Sequence, residues 1–160
     1  MLALLFWCVV YWGFTSLTAA MRPLYDVKKE PVFVNKQKLK MPKTINPVIE
    51  AEVLSALQKF ETDKKYLQKD MTVGRIAALL GTNAKYVTWI IAKHRNKRTI
   101  DYIIDLKTAH IVQLLESEKK YRNYTNKALA EEAGFGSTPH LVKAFKAKTG
   151  YSPTDFIGKL

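Results

Sequence analysis

Two stretches of this chain repeat one another. A shift of 53 positions lays Thr72 on Thr125, Ile76 on Leu129, Ala77 on Ala130 and Gly81 on Gly134. Beyond the glycine the shift becomes 54, and Val87 falls on Leu141 and Ile91 on Phe145. Each copy reads as a cap, a short helix, a glycine and a second helix. The threonine suits an N-cap. The alanine lets two helices cross closely, and the glycine can take the left-handed conformation of a sharp turn. These are the requirements of a helix-turn-helix, whose second helix can enter a DNA major groove. One copy is a weak signal, because many helical hairpins share it. Two copies joined by a long helix restrict the fold far more.

The rest of the pattern is also helical. Asn46-Pro47 is a cap followed by a first-turn proline. Ile49, Val53, Leu57, Phe60 and Leu67 then recur at helical spacing, which predicts a helix from Pro47 to Lys69. Short helices follow from Thr72 to Gly81 and from Ala84 to Lys93, with Asn83 as a cap. Residues 93–98 read as a basic loop: either a phosphate contact or a solvated turn. Thr99 to Glu118 is a longer helix, on the order of 28 Å, with Ile100, Ile103, Ile104, Ile111, Leu114 and Leu115 on one side and His110 partly buried. Thr125 caps the next helix, Thr138 to Lys148 forms another, and Ser152-Pro153 opens a last one. The expected fold is all-α: two helix-turn-helix subdomains (72–93 and 125–150) joined by a long helix (99–118) within a domain spanning 47–160. Leu80, Val87, Ile91, Leu129, Leu141 and Phe145 are the expected core.

Residues 1–20 are different in kind. Sixteen of the twenty are apolar and none is charged. That length matches a bilayer core of about 30 Å. A cleaved signal peptide would carry a basic start, which is missing, and a helix apolar all round needs a larger core than this chain can build. A transmembrane helix is therefore expected. Residues 21–46 read as a basic linker. Between Met21 and Glu50 stand Arg22, Lys28, Lys29, Lys36, Lys38, Lys40 and Lys43, which puts the C-terminal side in the cytoplasm. The expected location is a bacterial inner membrane, crossed once. A chain that opens inside its membrane segment resembles the tail of a longer protein, with an N-terminal sensor region ahead of it.

Charge narrows the partners. The 160 residues hold 26 Lys+Arg against 14 Asp+Glu, a formal +12. Such an excess favours a polyanion, either nucleic acid or an anionic membrane. Residues 21–50 account for +4 of it, beside the apolar segment, and residues 51–160 for +8. Cys8 is the one cysteine, so there is no disulfide within the chain and no cysteine zinc site. His94, His110 and His140 lack metal-ligand spacing. The acids scatter over polar helix faces, and no nucleophile grouping or phosphate loop is seen. No enzyme, metal or cofactor is expected.

From about Leu54 to Ile157 the chain resembles the AraC/XylS family of bacterial transcription regulators. The resemblance lies in Ile-Ala-Ala-Leu-Leu-Gly-Thr-Asn-Ala-Lys-Tyr-Val (76–87), Ile-Val-Gln-Leu-Leu (111–115) and Leu-Ala-Glu-Glu-Ala-Gly-Phe (129–135). Its most specific part is the tail Lys-Ala-Phe-Lys-Ala-Lys-Thr-Gly-Tyr-Ser-Pro-Thr-Asp-Phe (143–156). Lys-Phe-Glu (59–61), Lys-Tyr-Leu (65–67) and residues 82–87 are similar to a membrane-anchored subgroup, in which an extracytoplasmic sensor precedes one transmembrane helix. The resemblance implies a DNA-binding transcription regulator. Its first recognition helix would present Asn83, Lys85, Tyr86, Thr88 and Trp89. Its second would present Ser137, Thr138, Pro139, His140, Val142 and Lys143. Lys85 and Lys143 suit guanine or phosphate, the threonines suit phosphate or base edges, and Val142 suits a thymine methyl. Where Trp89 stands the family commonly has Arg, and where Pro139 and Val142 stand it has polar residues.

The expected function is a membrane-tethered, sequence-specific DNA-binding regulator that reads two adjacent major grooves of double-stranded DNA, at a separation of roughly 34 Å. The alternative is a membrane-proximal helical module that binds protein or lipid through its basic face. A homodimer is compatible with a tethered regulator, although no heptad repeat supports one.

Overall fold

The structure is a computed structural model and describes residues 45–160. The apolar segment 1–20, read above as a membrane span, and all but the last two residues of the linker 21–46 lie outside the described residues. Among the described residues no helix is long and apolar enough to cross a membrane.

Those residues form seven α-helices and no strand: α1 Pro47–Thr62, α2 Val73–Leu79, α3 Ala84–Arg95, α4 Thr99–Ser117, α5 Asn126–Glu132, α6 Thr138–Thr149 and α7 Pro153–Ile157. Single 3₁₀ turns lie at Lys65–Leu67 and Lys119–Asn123. The side chain of Asn46 starts α1 by accepting from the Val48 N–H at 3.0 Å.

α1 stops seven residues before the expected Lys69. Lys64 adopts a left-handed conformation (φ 52°), and the chain tightens into the first 3₁₀ turn. The reason is Tyr66. Six residues beyond Phe60, a continued helix would carry it about 120° away from the apolar face. The turn instead buries Tyr66, 6.3 Å from the Phe60 ring.

The repeat appears in the structure as two matching units. Thr72 Oγ1 accepts from the Arg75 N–H at 3.2 Å, and Thr125 Oγ1 from the Ala128 N–H at 3.1 Å. Both first helices end in one motif. The Thr82 N–H donates to Ala77 O at 2.9 Å, and the Phe135 N–H to Ala130 O at 2.8 Å. Gly81 and Gly134 hold the left-handed position, with φ of 64° and 63°. This six-to-one closure satisfies carbonyls that the helix end would otherwise strand.

Each unit has its own core. The first gathers Val53, Leu57, Phe60, Tyr66, Ile76, Ala77, Val87, Ile90 and Ile91 around Tyr102 and Ile103. The second gathers Leu129, Ala130, Ala133, Phe135, Leu141 and Phe145 around Ile111, Val112, Leu114 and Leu115. Each fully buried aliphatic or phenyl group contributes roughly 1.5–3 kcal/mol. α4 is therefore a shared strut, its N-terminal half in one core and its C-terminal half in the other. All six expected core residues are buried. Ile100, expected on the apolar side of α4, is exposed at 44 %, while its neighbour Thr99 is buried in its place. Lys107, Thr108 and His110 are buried on the same helix.

His110 carries a pH dependence. Its Nδ1 has no hydrogen-bond partner among the described residues. Burial, then the nearby Lys64 cation, pushes its pKa below 6.5, with Glu132 opposing. The unfolded chain thus takes up this proton first as pH falls. Stability should decline as pH drops through 6.5 and level off once the folded imidazole is itself protonated. Urea midpoints from about pH 8 to 5 should show the decline, and His110→Leu should flatten it. An unchanged slope in that variant would remove His110 as the cause.

Candidate nucleic-acid interface

The second helix of each unit starts from a polar cap and turns an exposed face outward. Asn83 Oδ1 accepts from the Tyr86 N–H at 2.9 Å, so this side chain is committed to the α3 N-terminus. Lys85 is exposed, and Tyr86, Thr88 and Trp89 are half-buried. The Thr88 hydroxyl donates to Ala84 O at 2.8 Å. Trp89 packs against the first core, and Lys93 Nζ lies 4.5 Å from its ring centre. In α6, Ser137 makes no capping bond through its side chain. Thr138 and Val142 are half-buried, while Ser137, Pro139, His140 and Lys143 are exposed. The His140 ring meets Phe135 edge-on at 5.4 Å.

The residues named from the sequence thus form two clusters, one on the N-terminal half of α3 and one on that of α6. The clusters differ chemically. By the 54-residue shift, Lys85 faces Pro139, Thr88 faces Val142 and Trp89 faces Lys143. The cation sits in the first turn of α3 but one turn later in α6. The two helices are not equivalent readers.

Charge differs between the second helices of the repeat and the helices α1 and α4. α3 holds Lys85, Lys93 and Arg95 and α6 holds Lys143, Lys146 and Lys148, so each is +3 with no acid. α1 holds Glu50, Glu52 and Glu61 against Lys59, and α4 holds Asp101, Asp105 and Glu116 against Lys107, so each is −2.

The 93–98 stretch differs from the basic loop expected. Lys93, His94 and Arg95 form the last turn of α3, and the chain then reverses at Asn96 (φ 50°). Its charges are paired inward. Lys93 Nζ and His94 Nε2 each lie 2.6 Å from Glu50 Oε1. Arg95 donates to Glu61 Oε1 at 3.0 and 3.3 Å, and the buried Tyr102 hydroxyl donates to the same oxygen. Lys97 pairs with Asp105, and Arg98 reaches Asp101 at 2.6 Å. The two hydrogen bonds from Lys93 and His94 hold the Glu50 carboxyl below its usual range. Burial, then Glu61, pushes the Tyr102 phenol up. These pairs tie α1 and α4 to the end of α3. Lys93, Lys97 and Arg98 are thereby paired at their own domain's surface and Arg95 is partly buried, which leaves Lys85 as the exposed cation without an acid partner on the α3 face.

Sequence reasoning missed Lys107. A cleft of about 220 Å³ between the two units is lined by Asp70, Met71, Ile103, Lys107, Phe135 and His140, among others. Lys107 was the visible signal: a charge four residues from both Ile103 and Ile111, inside the apolar stripe of α4.

A family model described as bacterial regulatory helix-turn-helix proteins, AraC family, matches residues 122–157. That span runs from the second 3₁₀ turn through α7. No curated protein matches the chain. Solved structures do. The C-terminal domain of AraT, a response regulator from Geobacillus stearothermophilus, superposes with TM-score 0.57 at 22% identity, over 68% of this chain and 85% of that one. The DNA-binding domain of AdpA, a global transcriptional factor solved with a target DNA, gives 0.55 at 16% identity, over 68% and 91%. The C-terminal domain of the two-component response regulator yesN from Fusobacterium nucleatum gives 0.54 at 17% identity, over 64% and 98%. At these identities the likeness is one of fold. AraC-family helix-turn-helix domains are DNA-binding regulatory modules, not enzymes. Residues 122–157 are thus similar to the AraC-family helix-turn-helix model, and the all-helical domain around them shares its fold with the DNA-binding and response-regulator domains on which it superposes.

Proposed function

We propose that this protein is a sequence-specific DNA-binding transcription regulator that inserts α3 and α6 into adjacent major grooves. The observation that carries the reading is the pair of matching second helices, each turning an exposed face with an exposed lysine outward, Lys85 on α3 and Lys143 on α6. Phosphate contacts then supply most of the affinity and base-edge contacts the selection. Lys85 and Lys143 are the exposed cations of the two clusters and the proposed base or phosphate contacts. Asn83, Tyr86, Thr88, Trp89, Ser137, Thr138, Pro139, His140 and Val142 complete the two faces. Trp89 acts through its exposed edge, since its other side is in the core.

The proposal includes a tether. Residues 1–20 form one membrane span and residues 21–46 a basic linker, with the DNA-binding domain in the cytoplasm. Its support is the uncharged apolar run followed by seven cations before Glu50. Separation of cell membranes, with and without residues 1–20, tests it: the full chain should sediment with membrane and the shortened chain should not.

Site selection on random DNA tests the main reading. The protein should enrich one sequence, and footprinting should protect two consecutive major grooves on one DNA face. A homodimer would protect twice that. Affinity should fall steeply with salt, and Lys85→Ala and Lys143→Ala should each cost about 1–3 kcal/mol on the selected site. Absence of DNA binding at low salt, with binding to anionic vesicles retained, would replace this reading with the lipid-interaction one.

A further inference from the structure

Gly81 and Gly134 occupy the same position in the two units with the same φ, yet their surroundings differ. A Cβ on Gly81 would meet nothing within 4 Å. A Cβ on Gly134 would lie 1.7 Å from Leu67 O and 2.7 Å from Leu67 C. The turn itself explains neither contact. The second unit's glycine turn is pressed, backbone to backbone, onto the 3₁₀ segment of the first unit. Leu67 packs against both cores at this point.

Lys107 closes the same junction. It is 5 % exposed. Its Nζ donates to Gln68 O at 3.0 Å and to Gly134 O at 2.5 Å. One carbonyl belongs to the first unit and the other to the second. The Phe135 ring centre lies 5.8 Å away. Burial pushes the pKa of this amine below 10.5, with Asp70 opposing, so the charge is held at a cost. A methionine would fill similar space without that cost. Methionine, however, has no donor, whereas the ammonium donates to carbonyls from both units at once.

We infer that Lys107 is a positioning residue that clamps the two helix-turn-helix units together, fixing the separation of α3 and α6 so that the protein accepts DNA half-sites at a single spacing. The spacing consequence rests on the DNA-binding reading; the clamp does not.

The clamp is tested without DNA. Spin labels at Gln58→Cys and Ala147→Cys, both exposed and one in each unit, are placed in the full chain carrying Cys8→Ser, in detergent. Pulsed electron–electron resonance should give one narrow distance distribution. Lys107→Met should broaden it while helix content stays the same, and Lys107→Arg, which keeps the charge and the donors, should restore most of the narrowness. A broad distribution without the Lys107 change overturns the clamp, whether or not the Lys107 variants fold. So does an unchanged distribution in Lys107→Met. The second arm uses selected DNA with one base pair inserted between half-sites. The unmodified chain should lose at least about tenfold in affinity on insertion. Lys107→Met should lose less than about threefold, because its units can adjust to keep both half-sites in contact. Equal losses in both overturn the spacing role. A chain that passes the distance test but binds no DNA keeps its clamp and loses its proposed function.

Discussion

Gly134→Ala should destabilise the protein by about 4 kcal/mol or more, beyond the range of most single substitutions. Two effects add. A side chain at φ 63° is strained, at roughly 1–2 kcal/mol. The new methyl would also stand 1.7 Å from Leu67 O. That oxygen belongs to backbone, and Leu67 is packed against both cores, so it cannot swing aside like the end of a long side chain. Gly81→Ala has the same strain, with φ 64°, and no neighbour, so it should cost only about 1–2 kcal/mol. Urea unfolding of the two variants side by side measures the difference. Equal losses would mean that the second turn is not docked on Leu67.

Phe145→Ala should cost about 3–5 kcal/mol. The ring is fully buried and meets Phe156 edge-on at 5.4 Å, which holds α7 against α6. Alanine leaves a cavity that neighbours on several helices cannot fill together. The two cores are separate clusters joined through α4, so the loss should be uneven. Amide exchange should quicken more in α5, α6 and α7 than in α1, α2 and α3. Uniform quickening would show that the two units open as one. Leu57→Ala, in the first core, should produce the opposite bias at about 2–5 kcal/mol.

The same division bears on function. A basic protein can be attracted to DNA without any arrangement of its charges. Here the exposed faces of α3 and α6 keep Lys85 and Lys143, while Glu50, Glu61, Asp101 and Asp105 occupy the cations at the end of α3. The cations that remain at the two faces are therefore the ones whose removal should change sequence preference.

Most of the helices were legible because their signals are local. Thr72, Asn83, Thr125 and Ser152 cap the third residue after them, and Gly81 and Gly134 close turns within five residues. Composition, periodicity and the repeat were enough to place these elements and to expect six core residues correctly. The reading of residues 1–20 as a membrane span rests on sequence alone and lies outside the described residues. The end of α1, the pairing of residues 93–98 and the role of Lys107 were decided only by packing. Tyr66 leaves the helix to reach a core completed by α2, α3 and α4. Lys93 finds its partner 43 residues back in the chain, and Lys107 finds carbonyls 39 and 27 residues away. A lysine in an apolar stripe is an anomaly when only its neighbours in sequence are known. It becomes a clamp when the fold brings two backbones from two units within reach of one ammonium group.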